Sequence, residues 1–476
     1  MADRPPAPAG LHLVAAAGLR VEDDGRVLVG GSPPRLVRLS EAGARIVRDW
    51  FDGTAVGESE AERRLARRVL DAGIAHPCPA EVPAGEVVVV LPALDEPEIT
   101  EVAVELADGR PVIVVDDGSD PPIPIHDDRV EIVRRSSPGG PGVARNDGLR
   151  RATDRGAEFV AFVDADVDAP PGWVDRLLAH FVDPDVVAVA PRVRPQIGTS
   201  ALERYEATFP SLDLGDQPAM VGPGRAVAYV PSAALVVRAS AFEEAGGFDP
   251  ALRFGEDVDL VWRLVDAGHT VRYDPAVEVR HRARADWRAW LTQRRDYGSS
   301  AAALAQRHGQ AVAPSRAPVG VYAAIASATV APVPVAAGVA AVEAVAAHRR
   351  VAASLGTHHD PALVRGGLLA AARSTVLALL RAWLPVTAAV ALTGRRPRRR
   401  LAVLLTAAVA AEAAPSPRHL GWIRTAAVRA VDHAAYGVGV WTGVVRVGRR
   451  GLAAVSPVLS RPGVRAEPTA TDTVGA

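Results

Sequence analysis

The chain holds a single cysteine, two methionines and no lysine among its 476 residues. With Cys78 alone, an intrachain disulfide and a Cys-rich zinc site are excluded, which fits a reducing compartment. Because lysine is absent, all 54 basic residues are arginine, set against 55 acidic ones. Such an Arg-only, Ala- and Val-rich composition reads as the coding bias of a GC-rich genome, so arginine counts say little about function. The formal net charge of -1 gives no global reason to expect nucleic acid as a partner. The opening MADRPPAPAGLHLV lacks the apolar stretch of a secretory signal, so a cytosolic start is expected. A chain of this length is expected to carry two or three domains.

Three regions differ in pattern. Residues 1–84 are short and mixed. RVLVGGSPPRLVRL reads as a hairpin, Ser40 followed by EAGARIVRDWF as a capped helix, and residues 58–72 as a second helix. Together they predict a small winged-helix-like module followed by a linker, with no catalytic constellation. Residues 85–312 alternate short apolar runs (VVVVL, PVIVVDD, VEIVRR, EFVAFVDAD, VVAVAPRV, AALVVR) with polar helical stretches. That alternation predicts an α/β domain with a mostly parallel, helix-covered sheet. Residues 313–476 are Ala-rich and helical in pattern. Residues 317–342 carry no formal charge, and two further apolar stretches, 374–394 and 401–411, flank the basic run RRPRRR at 395–400. An uncharged stretch of that length beside an arginine cluster predicts a membrane-embedded region with its basic side cytoplasmic. An Ala-rich soluble helical tail is the competing expectation, since alanine and glycine contribute little transfer energy and Pro332 and Pro334 interrupt the run. The last pattern, TAAVRAVDHAAYGVGVWTGVVRVGRRGL, is amphipathic and basic enough to lie at an interface.

The residues able to do chemistry are carboxylates in a telling order. Asp116-Asp117 ends the strand pattern VIVVDDGS, where a carboxylate can meet a base imide or ribose hydroxyl, or simply close an Asx-type turn. In VVVVLPALDEP, Pro92 ends a strand and Glu96 lies in the loop that follows. Arg145 and Asn146 open a helix after the glycine-rich PGGPGV, a position that meets nucleotide phosphates or base in many folds. Asp164-Ala165-Asp166 follows another strand. Two carboxylates so spaced can share a divalent cation that also takes diphosphate oxygens, and the bland alternative is a helix start at Asp168-Ala-Pro-Pro. His281, in VEVRH, is either a further ligand or a packed histidine. Glu256-Asp257 opens GEDVDLVWRL. One of the pair can act as general base, or both can serve only as favourable charge at a helix start.

Taken together, PALDE, VVDDGS, GVARNDG, VDADV, GGFDPALRFGEDVDLVWRL and VRH resemble the ordered motifs of family 2 glycosyltransferases with the GT-A fold, over about residues 87–309. The resemblance implies a Rossmann-like, mostly parallel catalytic domain. It implies a nucleotide site at Pro92, Glu96, Asp116, Asp117, Arg145, Asn146 and Asp164, and a metal (Mg²⁺ or Mn²⁺) on Asp166 with help from His281. By the same resemblance Asp257 is the base of an inverting single displacement, and Glu256 supports acceptor binding. QRRDYG departs from the QxxRW pattern of processive synthases, which argues against a long-polymer product. The front resembles the small peptide-chaperone fold that recognises precursor peptides. The rear, RAWLPVTAAVALTGRRPRRR with DHAAYGVGVWTGVVR, resembles glycosyltransferases of the mycofactocin system. These flanks imply transfer of glucose from UDP-glucose to (pre)mycofactocin, a peptide-derived redox cofactor, building a short β-glucan chain. Two other readings compete: a membrane-bound polysaccharide or glycolipid synthase on the same fold, and a non-catalytic peptide-binding scaffold.

Overall fold

Runs such as residues 87–91, 112–115 and 159–163 are apolar at every position rather than at every second one, the pattern of strands covered on both faces. In the computed structural model they lie at the centre of a nine-stranded sheet. Residues 4–125, 127–282, 286–355, 361–414, 421–460 and 465–466 are described. They fall into two compact units, one carrying residues up to 196 and 210–282, the other carrying 197–209 and the described residues from 286 onward.

The first unit begins with a small module. Strands β1 (Leu13–Ala15), β2 (Arg20–Glu22), β3 (Val27–Gly30) and β4 (Arg35–Arg38) precede helices α1 (Glu41–Phe51) and α2 (Glu60–Asp71), and β5 (Ala75–Pro77) returns to pair with β1. The hairpin expected at RVLVGGSPPRLVRL is β3–β4, with Val27 opposite Arg38. Ser40 caps α1 by accepting the Gly43 N–H at 3.1 Å, satisfying one of the donors that a helix start leaves open. Trp50, Val47, Leu70 and Ile74 fill a core belonging to the module itself. A buried ion pair then holds α2 against the segment leading into β11 (Val186–Pro195), with Arg67 2.8 Å from Asp183, and half-buried Arg4 of the N-terminal segment stands 2.9 Å from Asp71.

The large sheet has the order β10 (Val167–Asp168), β14 (Thr270–His281), β11, β13 (Ala234–Arg238), β9 (Phe159–Val163), β6 (Val87–Ala93), β7 (Val112–Asp116), β8 (Val130–Arg134), with β12 (Ala219–Met220) added on β14. Strands β6, β7, β8 and β9 run parallel, as do β11 and β14. β13 lies antiparallel between β9 and β11, and β10 antiparallel to β14. Helices α3 (Ile99–Ala107), α4 (Pro141–Thr153), α5 (Trp173–Leu178), α7 (Ala239–Glu244) and α8 (Glu256–Asp266) bury their apolar faces in this unit, in the α/β arrangement expected from the alternation. The carboxyl ends of β6, β7 and β9 share one edge, and every acidic motif singled out above lies in or beside the loops that leave the sheet there or in the first turn of α8.

The second unit is helical. It contains α6 (Ala201–Thr208), α9 (Trp287–His308), α10 (Val319–Val330), α11 (Val333–Leu355), α12 (Pro361–Leu380), α13 (Leu384–Leu392), α14 (Arg395–Ala413) and α15 (Trp422–Val447). Glycines let α9 and α15 approach to backbone contact. A Cβ at Gly298 would stand 2.0 Å from the Tyr436 carbonyl oxygen, and one at Gly439 would stand 1.9 Å from that of Arg295. A buried polar network ties the same helices: Glu206 accepts from the Trp290 indole at 2.8 Å and pairs with Arg294, which lies 3.2 Å from Asp432.

The long uncharged run of 317–342 does not form one helix. It is divided at Ala331-Pro332 between α10 and α11, because Pro332 has no N–H to continue the ladder and its ring disfavours the helical conformation of the residue before it. The stretch 374–394 is likewise divided, Val364–Leu380 and Leu384–Leu392 meeting at 80°. Among the described residues no single helix is long and apolar enough to cross a membrane, and this bent pair alone meets the length and composition of a span.

Candidate active site

The site is built from strand ends. At the end of β7, Asp116 is buried and accepts the Ser119 N–H at 2.8 Å and the Ile123 N–H at 3.3 Å, and it pairs with Arg134 at the end of β8. Burial alone would raise its pKa. The Ser119 and Ile123 donors and the Arg134 charge outweigh that and hold it below the usual carboxylate range. Gly118, at φ +89°, makes the turn that lets this happen, a left-handed conformation that a side chain strains. Asp117 accepts the N–H groups of Gly139 at 2.9 Å and Gly140 at 2.7 Å, and Arg135 stands 2.8 Å away. The two adjacent carboxylates therefore shape the turn after β7 and the glycine-rich loop before α4. Asp116 in particular makes the Asx-type turn that was one of its two expected roles. Pro92 is half-buried near the end of β6, and Glu96 is exposed in the loop that follows. Ser119 Oγ accepts the Asp95 N–H at 2.9 Å, joining the loops after β6 and β7.

One turn into α4, Arg145 is almost fully buried. Its guanidinium pairs with Asp164, stands 3.7 Å from Glu256 and lies over the Phe248 ring at 5.5 Å. Asp164 and Glu256 raise its pKa against the burial that would lower it. Asn146 faces another way: its amide donates to the Phe248 carbonyl at 2.7 Å and accepts the Phe248 N–H at 2.9 Å. It clamps the GGF turn onto α4. Phe248 lies within the motif GGFDPALRFGEDVDLVWRL without a role assigned to it, and Arg134 and Arg135 had no signal in the sequence, because an arginine in so arginine-rich a chain stands out only once its partner is known.

Asp166 lies beyond the end of β9 and is about a third exposed. Its Oδ2 is 3.2 Å from Nε2 of His281, the last residue of β14. The antiparallel pairing of Val167 with His281 brings them together across a sequence separation no motif reveals. Asp168 continues into β10, and α5 starts after Gly172, so the aspartates of this motif do not cap a helix. Asp166 and His281 offer two donors on neighbouring strands. Among the described residues no three such side chains converge on one point, so a divalent ion here would complete its shell with ligand oxygens. That donor set, one carboxylate and one imidazole, fits a divalent cation whose remaining ligands are oxygens of a bound phosphate.

Glu256 and Asp257 open α8. Burial, with Asp257 alongside, pushes Glu256 up to about 7. Burial also raises Asp257, against the pull of the Val258 N–H that its Oδ1 accepts at 2.8 Å and of Arg145. The charges of Asp164 and Arg145 act on both acids. Asp164, Arg145, Glu256 and Asp257 therefore form one electrostatic cluster. Acids whose protons are held toward neutral pH are suited to accept a proton from an attacking group.

The family model described as glycosyl transferase family 2 matches residues 88–244. The pre-mycofactocin glycosyltransferases of two Mycobacterium tuberculosis strains, CDC 1551 and H37Rv, are each 37% identical over 472 residues, covering 94% of this chain and 98% of theirs. An N-acetylglucosaminyl-diphospho-decaprenol L-rhamnosyltransferase of strain CDC 1551 is 32% identical over 145 residues, covering 26% of this chain and 47% of its own. Among solved structures, a mannosyltransferase from Pyrobaculum calidifontis in complex with GDP-Man and Mn²⁺ aligns with a TM-score of 0.40 and 18% identity, over 74% of this chain and 88% of that one.

Proposed function

This chain belongs to the family 2 glycosyltransferases, and we propose that it moves a hexose, glucose from UDP-glucose, onto a pre-mycofactocin acceptor. The acceptor reading rests on likeness over nearly the whole length of both chains, flanking regions included, to enzymes named for that substrate. The peptide-chaperone-like module is then the natural holder of a peptide-derived acceptor, and repeated transfer builds a short β-glucan.

The observation that carries the mechanism is the cluster at the start of α8. Asp257 has one oxygen on the Val258 N–H and lies within the field of Arg145 and Asp164. In the proposed inverting displacement an acceptor hydroxyl oxygen bonds to the anomeric carbon while the bond to the diphosphate oxygen breaks. The hydroxyl proton passes to Asp257, and the diphosphate leaves with the electron pair. Glu256 orients the acceptor and lends the pair its proton-holding character. Arg145 keeps Asp164 and Glu256 in register, so the donor and acceptor sides share one buried cation. The end of β6 and its following loop, tied through Ser119 to the turn that Asp116 shapes, present Pro92 and Glu96 to the nucleoside. A divalent ion on Asp166 and His281 would neutralise charge on the departing diphosphate.

The test is to incubate the full chain with a panel of UDP- and GDP-sugars and the peptide-derived acceptor, then weigh the product. Mass increments of one or a few hexoses from UDP-glucose are expected. Transfer only to lipid acceptors, or from another donor alone, overturns the assignment.

A further inference from the structure

The large apolar side chains left exposed are distributed unevenly. Of the 25 that are exposed among the described residues, 20 belong to the helical unit, although it is the smaller of the two. Several gather at the break between α10 and α11, where Val330, Val333 and Val335 all face solvent, Val333 at 70%. The break is also where the basic run arrives. Arg400 of α14 donates to the Ala331 carbonyl, which ties the end of the basic run 395–400 to that break, with Leu392 exposed at 83% just before the run and Val403 exposed just after it.

Two features of this run are unfavourable for the isolated chain. Arg395, Arg396, Arg398 and Arg399 are exposed and have no acidic partner among the described residues. They also crowd the N-terminal end of α14, where the helix dipole is positive and disfavours cations. Neither feature is unfavourable beside a surface that is both apolar and negatively charged. α10, at 12 residues, is about 18 Å long, short of the ~30 Å hydrocarbon core of a bilayer.

We propose that the helical unit docks in the plane of an anionic lipid surface, with the α10–α11 break entering the acyl boundary and Arg395, Arg396, Arg398 and Arg399 meeting the headgroups. In-plane docking of this kind draws on buried apolar area and on attraction to anionic lipid together. The proposal does not depend on the identity of the donor or acceptor.

Flotation of the full chain with phosphatidylcholine vesicles, with and without about one third phosphatidylglycerol, tests it. Binding should require the anionic lipid and should fall with salt. The combined variant Arg395→Gln, Arg396→Gln, Arg398→Gln, Arg399→Gln should bind several-hundred-fold more weakly, from roughly fivefold per arginine. Val330→Ser with Val333→Ser should weaken binding at least about tenfold. Circular dichroism and transfer to a soluble acceptor should stay unchanged in both variants and report that they fold. Equal binding to neutral and anionic vesicles, or unchanged binding of the arginine variant, overturns the proposal. So does a chain that fails to float but self-associates through the valines, as light scattering would read.

Discussion

Replacing Glu256 by glutamine should remove a pH-dependent destabilisation of the folded chain. The unfolded chain releases this proton near 4.5, whereas burial, with Asp257 alongside, makes the fold keep it until about 7. Between those values the native state binds more protons than the unfolded one, so stability falls as pH rises and the loss is complete above the folded value. At 1.36 kcal/mol per pH unit, the interval amounts to about 3 kcal/mol. Solvent screening reduces this little, because the Glu256 side chain is only 12% exposed. Glutamine keeps the shape and cannot ionise, and Arg145 retains Asp164 as its partner. Urea unfolding of both chains at pH 5 and pH 8 reads the effect. The gap between variant and wild type should shift by about 2–3 kcal/mol in the variant's favour from the lower pH to the higher. Titrating groups outside the cluster of Asp164, Arg145, Glu256 and Asp257 cancel in that comparison. A gap of the same size at both pH values would show that Glu256 ionises in the fold as it does in water, and the electrostatic account of the site would fail with it.

Three further outcomes are expected. Asp257→Asn should lower kcat about a hundredfold to ten-thousandfold while calorimetry finds UDP binding largely intact, and a lost UDP affinity would contradict its assignment as base. In the wild type the rising limb of kcat should lie above the ordinary carboxylate range, because burial raises Asp257. Arg145→Met leaves Asp164 and Glu256 without their shared cation and should destabilise the chain by about 3–5 kcal/mol, seen as a lower midpoint in urea. Gly439→Ala puts a methyl group against the Arg295 carbonyl and should destabilise by about 1–3 kcal/mol. A neutral result in a melting experiment would mean that α9 and α15 separate easily.

Much of the architecture was legible because it rests on local patterns. Continuous β-branched runs at β6, β7 and β9 declare strands buried on both faces, and Ser40 before EAGARIVRDWF declares a helix start. The acidic motifs were visible for a related reason, since polar residues that end such runs are confined to one sheet edge. The helical unit was less legible. Absence of charge over 317–342 reads as a span while Pro332 and Pro334 read as an interruption, and the break the structure places at Ala331-Pro332 follows the missing backbone donor rather than the composition.

The roles of individual side chains depend on contacts distant in sequence. Asp166 and His281 meet through the β10–β14 pairing, and Arg145 joins Asp164 to Glu256 from a helix more than a hundred residues before the latter. Asn146, next to Arg145, is turned to the Phe248 backbone instead, because successive residues on a helix point about 100° apart. Strand periodicity and turn chemistry are local, so the residues able to do chemistry, and the sheet edge on which they gather, are legible in the linear chain. Which carboxylates are committed to turns and which hold raised pKa values is settled by packing. Burial and the distance to a buried arginine decide that, and both are properties of the packed chain.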